Sequence, residues 1–175
     1  FTSARPAGAA LGTNESPRYN LMSYNLQTGV MTSWAPQVNG PIRVITASPD
    51  GSRIYIGGSF TSVNGKGRYR VAAFKTSDGS LVNEFAPIMG SDVFGMAATD
   101  SVVYLGGWFD SVNGTARQHL AAVSATDGSV LGWAPTVDQT VYGVGLTTAK
   151  DRVIIAGNFS TVNGSTRLRT WTPTS

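Results

Sequence analysis

Apolar residues in this chain come in short runs broken by Gly, Pro, Asn and Asp. Arg53-Ile54-Tyr55-Ile56-Gly57 alternates polar and apolar positions, the pattern of a half-buried strand. Ile42 to Ala47 is rich in β-branched residues and predicts the strand before it. Ser48-Pro49-Asp50-Gly51-Ser52 between them is a tight-turn signal. Val71 to Lys75 and Leu81 to Phe85 predict two more strands, joined by Ser77-Asp78-Gly79-Ser80. Ala86-Pro87 ends the last, because proline donates nothing to a ladder. No apolar period of 3.6 residues persists over three turns, so essentially no helix is expected.

The same order returns downstream. Expected strands are Val93–Ala98, Val102–Gly107, His119–Ala125 and Val130–Trp133, then Val141–Thr147, Val153–Gly157 and Leu168–Thr172. The stretch from Gly57 to Gly65 reappears as Gly106 to Gly114 and as Ala156 to Gly164. Gly58, Gly107 and Gly157 are 49 and 50 residues apart. A fixed period of about 50 residues marks a repeat architecture. Phe1-Thr2-Ser3 matches Phe60-Thr61-Ser62, so the chain opens inside a repeat. Ala4 to Pro17 then replaces the short Val-Asn-Gly loop and reads as a long surface loop. Leu21–Tyr24 and Val30–Trp34 are the next expected strands.

Four short antiparallel strands per ~50 residues is the unit of a β-propeller blade. The expected fold is therefore all-β, a β-propeller segment covering residues 1–175. It divides into a partial blade at 1–36, blades at 41–87 and 92–135, and a partial blade at 140–175. That is about three to three and a half blades, whereas propellers usually close with four to eight. The chain begins at Phe1 without an initiator Met or a leader, which reads as a processed or excised piece. The expectation is a ring completed by the remainder of a longer chain or by other copies. A β-sandwich or β-solenoid is the alternative. A solenoid coil is usually shorter, and a sandwich would not repeat its turn chemistry so faithfully.

Composition narrows the function classes. Of 175 residues, 41% are apolar and 13% charged, a globular β-type balance. Cysteine is absent, which removes disulfides and thiolate metal sites. Net charge is +3, but the basic residues are scattered, so no nucleic-acid partner is expected. No apolar run approaches ~18 residues, so no membrane span is expected.

The combined pattern resembles the delta-60 repeat, a bacterial β-propeller family of undefined function. It runs Gly-Gly-x-Phe-x-x-Val-Asn-Gly, an Arg-bearing loop, a short apolar strand, and Asp-Gly-Ser-Leu/Val closing on aromatic-x-Pro. Gly57 to Pro87 and Gly106 to Pro135 carry it almost completely, and Gly157 to Pro173 carries its first half. The resemblance implies a secreted or surface-displayed bacterial protein, and it implies no reaction.

Candidate chemistry is sparse. Asp50-Gly51, Asp78-Gly79 and Asp127-Gly128 suit calcium only as single carboxylates, so turn chemistry outweighs a metal. No metal and no cofactor are expected. Arg68, Arg70, Arg117, Arg167 and Arg169 recur after the Asn-Gly turns. Arg68, Arg117 and Arg167 are candidates for an anion- or glycan-binding ring. Against that stands a repeated inter-blade hydrogen bond to backbone carbonyls. Phe60, Phe109 and Phe159, and the register Trp34, Phe85 and Trp133, read as packing. Trp108 breaks its register, standing where Ser59 and Asn158 stand, and is a candidate sugar platform. His119, the single histidine, takes the place of Arg70, and an exposed strand edge is the simpler reading than a triad member. Asn14, Asn113, Asn158 and Asn163 match the glycosylation sequon and are taken as coincidence. The expected function is a non-catalytic binding or scaffolding module with a protein or glycan partner. The alternatives are a carbohydrate-binding, adhesin-like module and a structural part of a surface or phage-like assembly.

Overall fold

The structure, a computed structural model, describes residues 1–166. The expected strand Leu168–Thr172 and the candidates Arg167 and Arg169 lie outside the described residues. The described residues are all-β, with no helix. A short hairpin of β1 (Ser3–Ala4) and β2 (Ser16–Pro17) closes the base of the inserted loop. The next repeat holds β3 (Ile42–Ala47), β4 (Arg53–Gly58), β5 (Ser62–Val63), β6 (Lys66–Gly67) and β7 (Val71–Lys75). Its successor holds β8 (Val93–Ala98), β9 (Val102–Gly107), β10 (Ser111–Val112), β11 (Thr115–Ala116) and β12 (Leu120–Ser124). The last holds β13 (Val141–Leu146), β14 (Val153–Gly157), β15 (Thr161–Val162) and β16 (Ser165–Thr166).

Strands β3-β4-β7 and β8-β9-β12 form antiparallel three-stranded sheets, and β13-β14 form a two-stranded one. The sheets stack side by side, with β8 touching both β3 and β13. Because side chains alternate across a strand, each middle sheet feeds two seams. Tyr55, Val71 and Ala73 point toward the following sheet, where they meet Met96, Val103, Leu105, Ala121 and Val123 in one cluster. Their neighbours Ile56, Ala72 and Phe74 point backward and join Leu21, Val38 and Phe60. Leu120, Val137 and Val141 start the third seam. A strand buried on both faces needs a continuous apolar run. Val71-Ala72-Ala73-Phe74, all buried, is such a run. The described residues form no closed sheet. Ile45, at 56% exposure, and Ile154, at 57%, lie on uncovered faces of β3 and β14.

The glycine pairs make the stacking possible. A Cβ on Gly57 would sit 2.9 Å from Val93 Cγ1 across the seam, and one on Gly106 would sit 2.6 Å from Val141 Cγ1. The second glycine answers to the first strand of its own sheet. A Cβ on Gly58, Gly107 or Gly157 would lie 2.1 Å from the carbonyl oxygen of Pro41, Asp92 or Thr140. Each first strand carries a register irregularity at that level, between Ile42 and Val44, Val93 and Gly95, and Val141 and Gly143.

Two expectations change. In the opening segment and the two middle repeats the outer strand shrinks to a single bridge, Tyr24↔Met31, Phe74↔Leu81 and Val123↔Val130. The anticipated strands Leu21–Tyr24, Val30–Trp34, Leu81–Phe85 and Val130–Trp133 thus survive as one paired position each. The ladder stops because an arginine reaches the carbonyls beyond it. Arg18, Arg68 and Arg117 donate to Thr32 O, Val82 O and Leu131 O. Conversely, the Asn-Gly loop is a hairpin of its own, formed by β5-β6, β10-β11 and β15-β16.

Gly107→Ala forces a carbonyl and a methyl into the same space, so it is expected to lose about 3 kcal/mol in denaturant melts. Gly132→Ala, with nothing within 4 Å of the new carbon, is expected to stay within about 0.5 kcal/mol.

Candidate functional site

The recurring arginines are built into the backbone. Arg68 is buried; its Nη1 donates to Gly67 O at 2.7 Å and its Nη2 to Val82 O at 3.4 Å. Arg117 repeats this with Ala116 O at 2.8 Å and Leu131 O at 2.9 Å. These bonds stay within one repeat, whereas Arg70 makes the expected crossing, donating from Nη1 to Met89 O at 3.1 Å in the linker to the next sheet. Arg18 is a third member that the sequence reading passed over, donating to Pro17 O at 2.7 Å and Thr32 O at 2.9 Å. Its signal was spacing: Arg18, Arg68 and Arg117 each stand three residues before Leu21, Val71 and Leu120. No Asn-Gly precedes Arg18, which hid it.

The asparagines hold the linkers between sheets. Asn64, Asn113 and Asn163 have φ near 50° and each precedes a positive-φ glycine, as a type I′ turn requires. Their Oδ1 atoms accept the N–H of Gln37, Ile88 and Thr136 at 2.8, 2.7 and 2.8 Å. Their own N–H groups donate back to the carbonyls of the same three residues. The Asp-Gly turns are Asx turns. Asp50, Asp78 and Asp127 each accept the N–H two residues on, from Ser52, Ser80 and Ser129. The Ser48 hydroxyl, with Ser52, pulls the Asp50 carboxyl from its ordinary 3.8 down to about 2. Hydrogen bonds from Ser80 and Ser129 hold Asp78 and Asp127 below the usual range. Asp138 is lowered by the Thr161 and Ser160 N–H groups.

The remaining polar chemistry gathers where the second strands end. Trp108 is 55% exposed and follows Gly107, which pairs with Val93. Its N–H donates to Asp92 O at 2.9 Å. Its ring lies 5.7 Å from the His119 ring at 49°. His119 is half-buried and left-handed, φ 62°, in place of the exposed strand edge expected. Asn20 and Arg70 adopt the same conformation at the same register. His119 Nδ1 is buried without a hydrogen-bond partner among the described residues. One repeat earlier, Ser59 donates to Asp92 Oδ2 at 2.6 Å and Arg70 Nε lies 3.4 Å from Asp92 Oδ1. Asp92 gave no sequence signal, because Pro41 and Thr140 occupy its register.

Two clefts open at the other end of the sheets. One of about 390 Å³ lies between Trp34, Ile54 and Asp78, and another of about 360 Å³ between Tyr104, Trp133 and Asp151. Both flank the closing aromatics. Trp34 stacks edge-on against Phe74 at 5.1 Å, and Trp133 against Tyr104 at 5.1 Å. Phe60 and Phe109 are fully buried, and Phe159 packs at the edge of the third seam. No group of three or more metal-ligating side chains occurs among the described residues. No helix among them is long and apolar enough to cross a membrane.

Residues 49–83 match the family model described as "Domain of unknown function (DUF5122) beta-propeller". The chain is similar to a β-propeller family of unknown function. The matched stretch runs from the turn after β3 to the residues just past the Leu81 bridge. No curated protein matches the chain.

Arg117→Lys keeps the charge but loses the fork, and is expected to lower stability by about 1–2 kcal/mol in urea titrations. Asp50 has a depressed folded pKa, so its contribution is present above its ordinary 3.8 and lost as pH falls through about 2. The thermal midpoint should be flat down to about pH 4 and then drop, with Asp50→Asn showing a shallower drop.

Proposed function

We propose that this chain is a non-catalytic β-propeller module that binds or scaffolds. One observation carries the reading. The polar groups that repeat are engaged by the fold's own backbone, whereas three that differ between repeats meet at one end of the sheets. Arg68, Arg117 and the three Asn-Gly asparagines belong to the first set. Trp108, Asp92 and His119 belong to the second. A catalytic site needs a nucleophile, base and orienting group in mutual reach. His119 Nδ1 has no hydrogen-bond partner among the described residues, and its ring lies against Trp108.

In this proposal each sheet is a blade of a ring. The uncovered Ile45 and Ile154 faces support completion by further blades, from a longer chain or from other copies. Residues 41–87 and 92–135 are its two whole blades. The resemblance of its repeats supports a secreted or surface-displayed place in a bacterial protein. A role in a larger surface or phage-like assembly fits the same open faces. A carbohydrate-binding role is favoured separately by the exposed Trp108.

A glycan array probed with the protein is expected to show saturable binding that Trp108→Ala weakens about tenfold. An array without signal would remove the carbohydrate role and leave a protein partner.

A further inference from the structure

The end of the sheets that holds Trp108 is also where the first strand of each sheet bulges. The irregularity lies between Ile42 and Val44, Val93 and Gly95, and Val141 and Gly143. The residues inside it are Arg43, Phe94 and Tyr142. Ile42, Val93 and Val141 pair with Gly58, Gly107 and Gly157, whose successors are Ser59, Trp108 and Asn158. Six positions thus meet at one rim, two from each sheet. Bulges re-aim a side chain away from the regular pleat. Each repeat carries different residue types at these positions. The flanking glycines and valines, which packing does fix, barely change.

Contacts join Phe94, Tyr142 and Asn158 across one seam, and strand register places Arg43 and Trp108 at the same end of the sheets. Phe94 and Tyr142 lie 5.5 Å apart at 48°, across the β8–β13 seam. Asn158 Nδ2 lies 3.5 Å from the Tyr142 hydroxyl. Tyr142 is 51% exposed and Trp108 55%. Ser59 reaches across the preceding seam to Asp92. Both Asp92 oxygens are engaged, one by Ser59 and one by Arg70, so its charge is countered in place. Arg43 is exposed and makes no ion pair or hydrogen bond among the described residues. The rim therefore presents aromatic faces, a hydroxyl and an uncompensated guanidinium.

We propose that this rim is the binding site for a carboxylated sugar, such as a uronic-acid unit of an acidic glycan. The inference rests on the carbohydrate-binding role and names its site and ligand class. Tyr142 and Trp108 stack on the C–H faces of the sugar rings. The Arg43 guanidinium takes the carboxylate, whose planar oxygens match its fork. Both aromatics are more than half exposed, which suits a chain of several sugars over a single one.

Calorimetric titration of the whole chain with an oligogalacturonate and with a neutral maltooligosaccharide tests this. Saturable binding of the acidic oligomer is expected, weakened about tenfold by Trp108→Ala and by Tyr142→Ala. Arg43→Gln, which disturbs no hydrogen bond, should weaken the acidic oligomer about tenfold and leave any neutral binding unchanged. Leu26→Ala, fully exposed at 99%, should change nothing. Neutral binding alone, or acidic binding indifferent to Arg43→Gln, overturns this assignment while the carbohydrate role stands. Displacement by millimolar inorganic phosphate alone also overturns it, since Arg43 would then hold a phosphate. Binding of neither oligomer removes both.

Discussion

Each sheet in this protein must approach its neighbour closely at one end while its own first strand swings across that same end. Only a residue without a side chain meets both demands. The first glycine of each pair gives up its Cβ to valines at the seam, as Gly57 does to Val44 of its own sheet and Val93 of the next, and Gly106 to Val141 and Val144. The second gives it up to the strand's own backbone, as Gly58 does to Pro41 O. Ala156 shows the rule from the other side. It occupies the register of Gly57 and Gly106 on the uncovered face of β14, where no described residue presses on it. From this approach follow the double-faced seams, the buried alanines of β7 and β12, and the large side chains kept for the seam centres.

Once the sheets are stacked, the connecting backbone has polar groups to satisfy. The repeat answers with a fixed kit. An asparagine in a left-handed turn exchanges two hydrogen bonds with the incoming linker. An arginine bridges the small hairpin to the outer segment, where ladder bonding stops. An aspartate closes the outer turn. Asn39 and Asp138 serve the linker in turn, each accepting two N–H groups of the following hairpin. Between them stands Gly90, where Asp110 fills the space a side chain would need. Groups with this much structural work are poor ligand donors, so the proposed binding role falls to the positions the kit does not use.

The inner strands were legible because packing dictates them. Ile42–Ala47, Val71–Lys75 and Val93–Ala98 were read with the bounds they have. Asn64-Gly65 and its copies announced their turns, since few residues accept both positive φ values. The outer strands misled for a physical reason. Leu81 to Phe85 begins and ends on apolar residues between two turn signals and so read as a strand, yet Arg68 occupies the carbonyls a ladder would use. Arg18 was hidden by the inserted loop. The rim was the least legible part. Trp108 stood out as a break in register, but Arg43, Phe94 and Tyr142 read as ordinary strand positions. Their grouping depends on a bulge, and a bulge has no composition of its own.

The account stands on a steric coupling across the seam between Gly57 and Val93. A double-mutant cycle with Gly57→Ala and Val93→Ala measures it directly. Each single change should destabilise, the first by crowding and the second by leaving a void. The pair together should be more stable than the sum predicts by about 1 kcal/mol, because losing Val93 removes one of the side chains, with Val44 and Met96, that crowd the new methyl. Additive effects, with no coupling beyond error, would mean the two residues do not share a seam, and the stacking described here would be wrong.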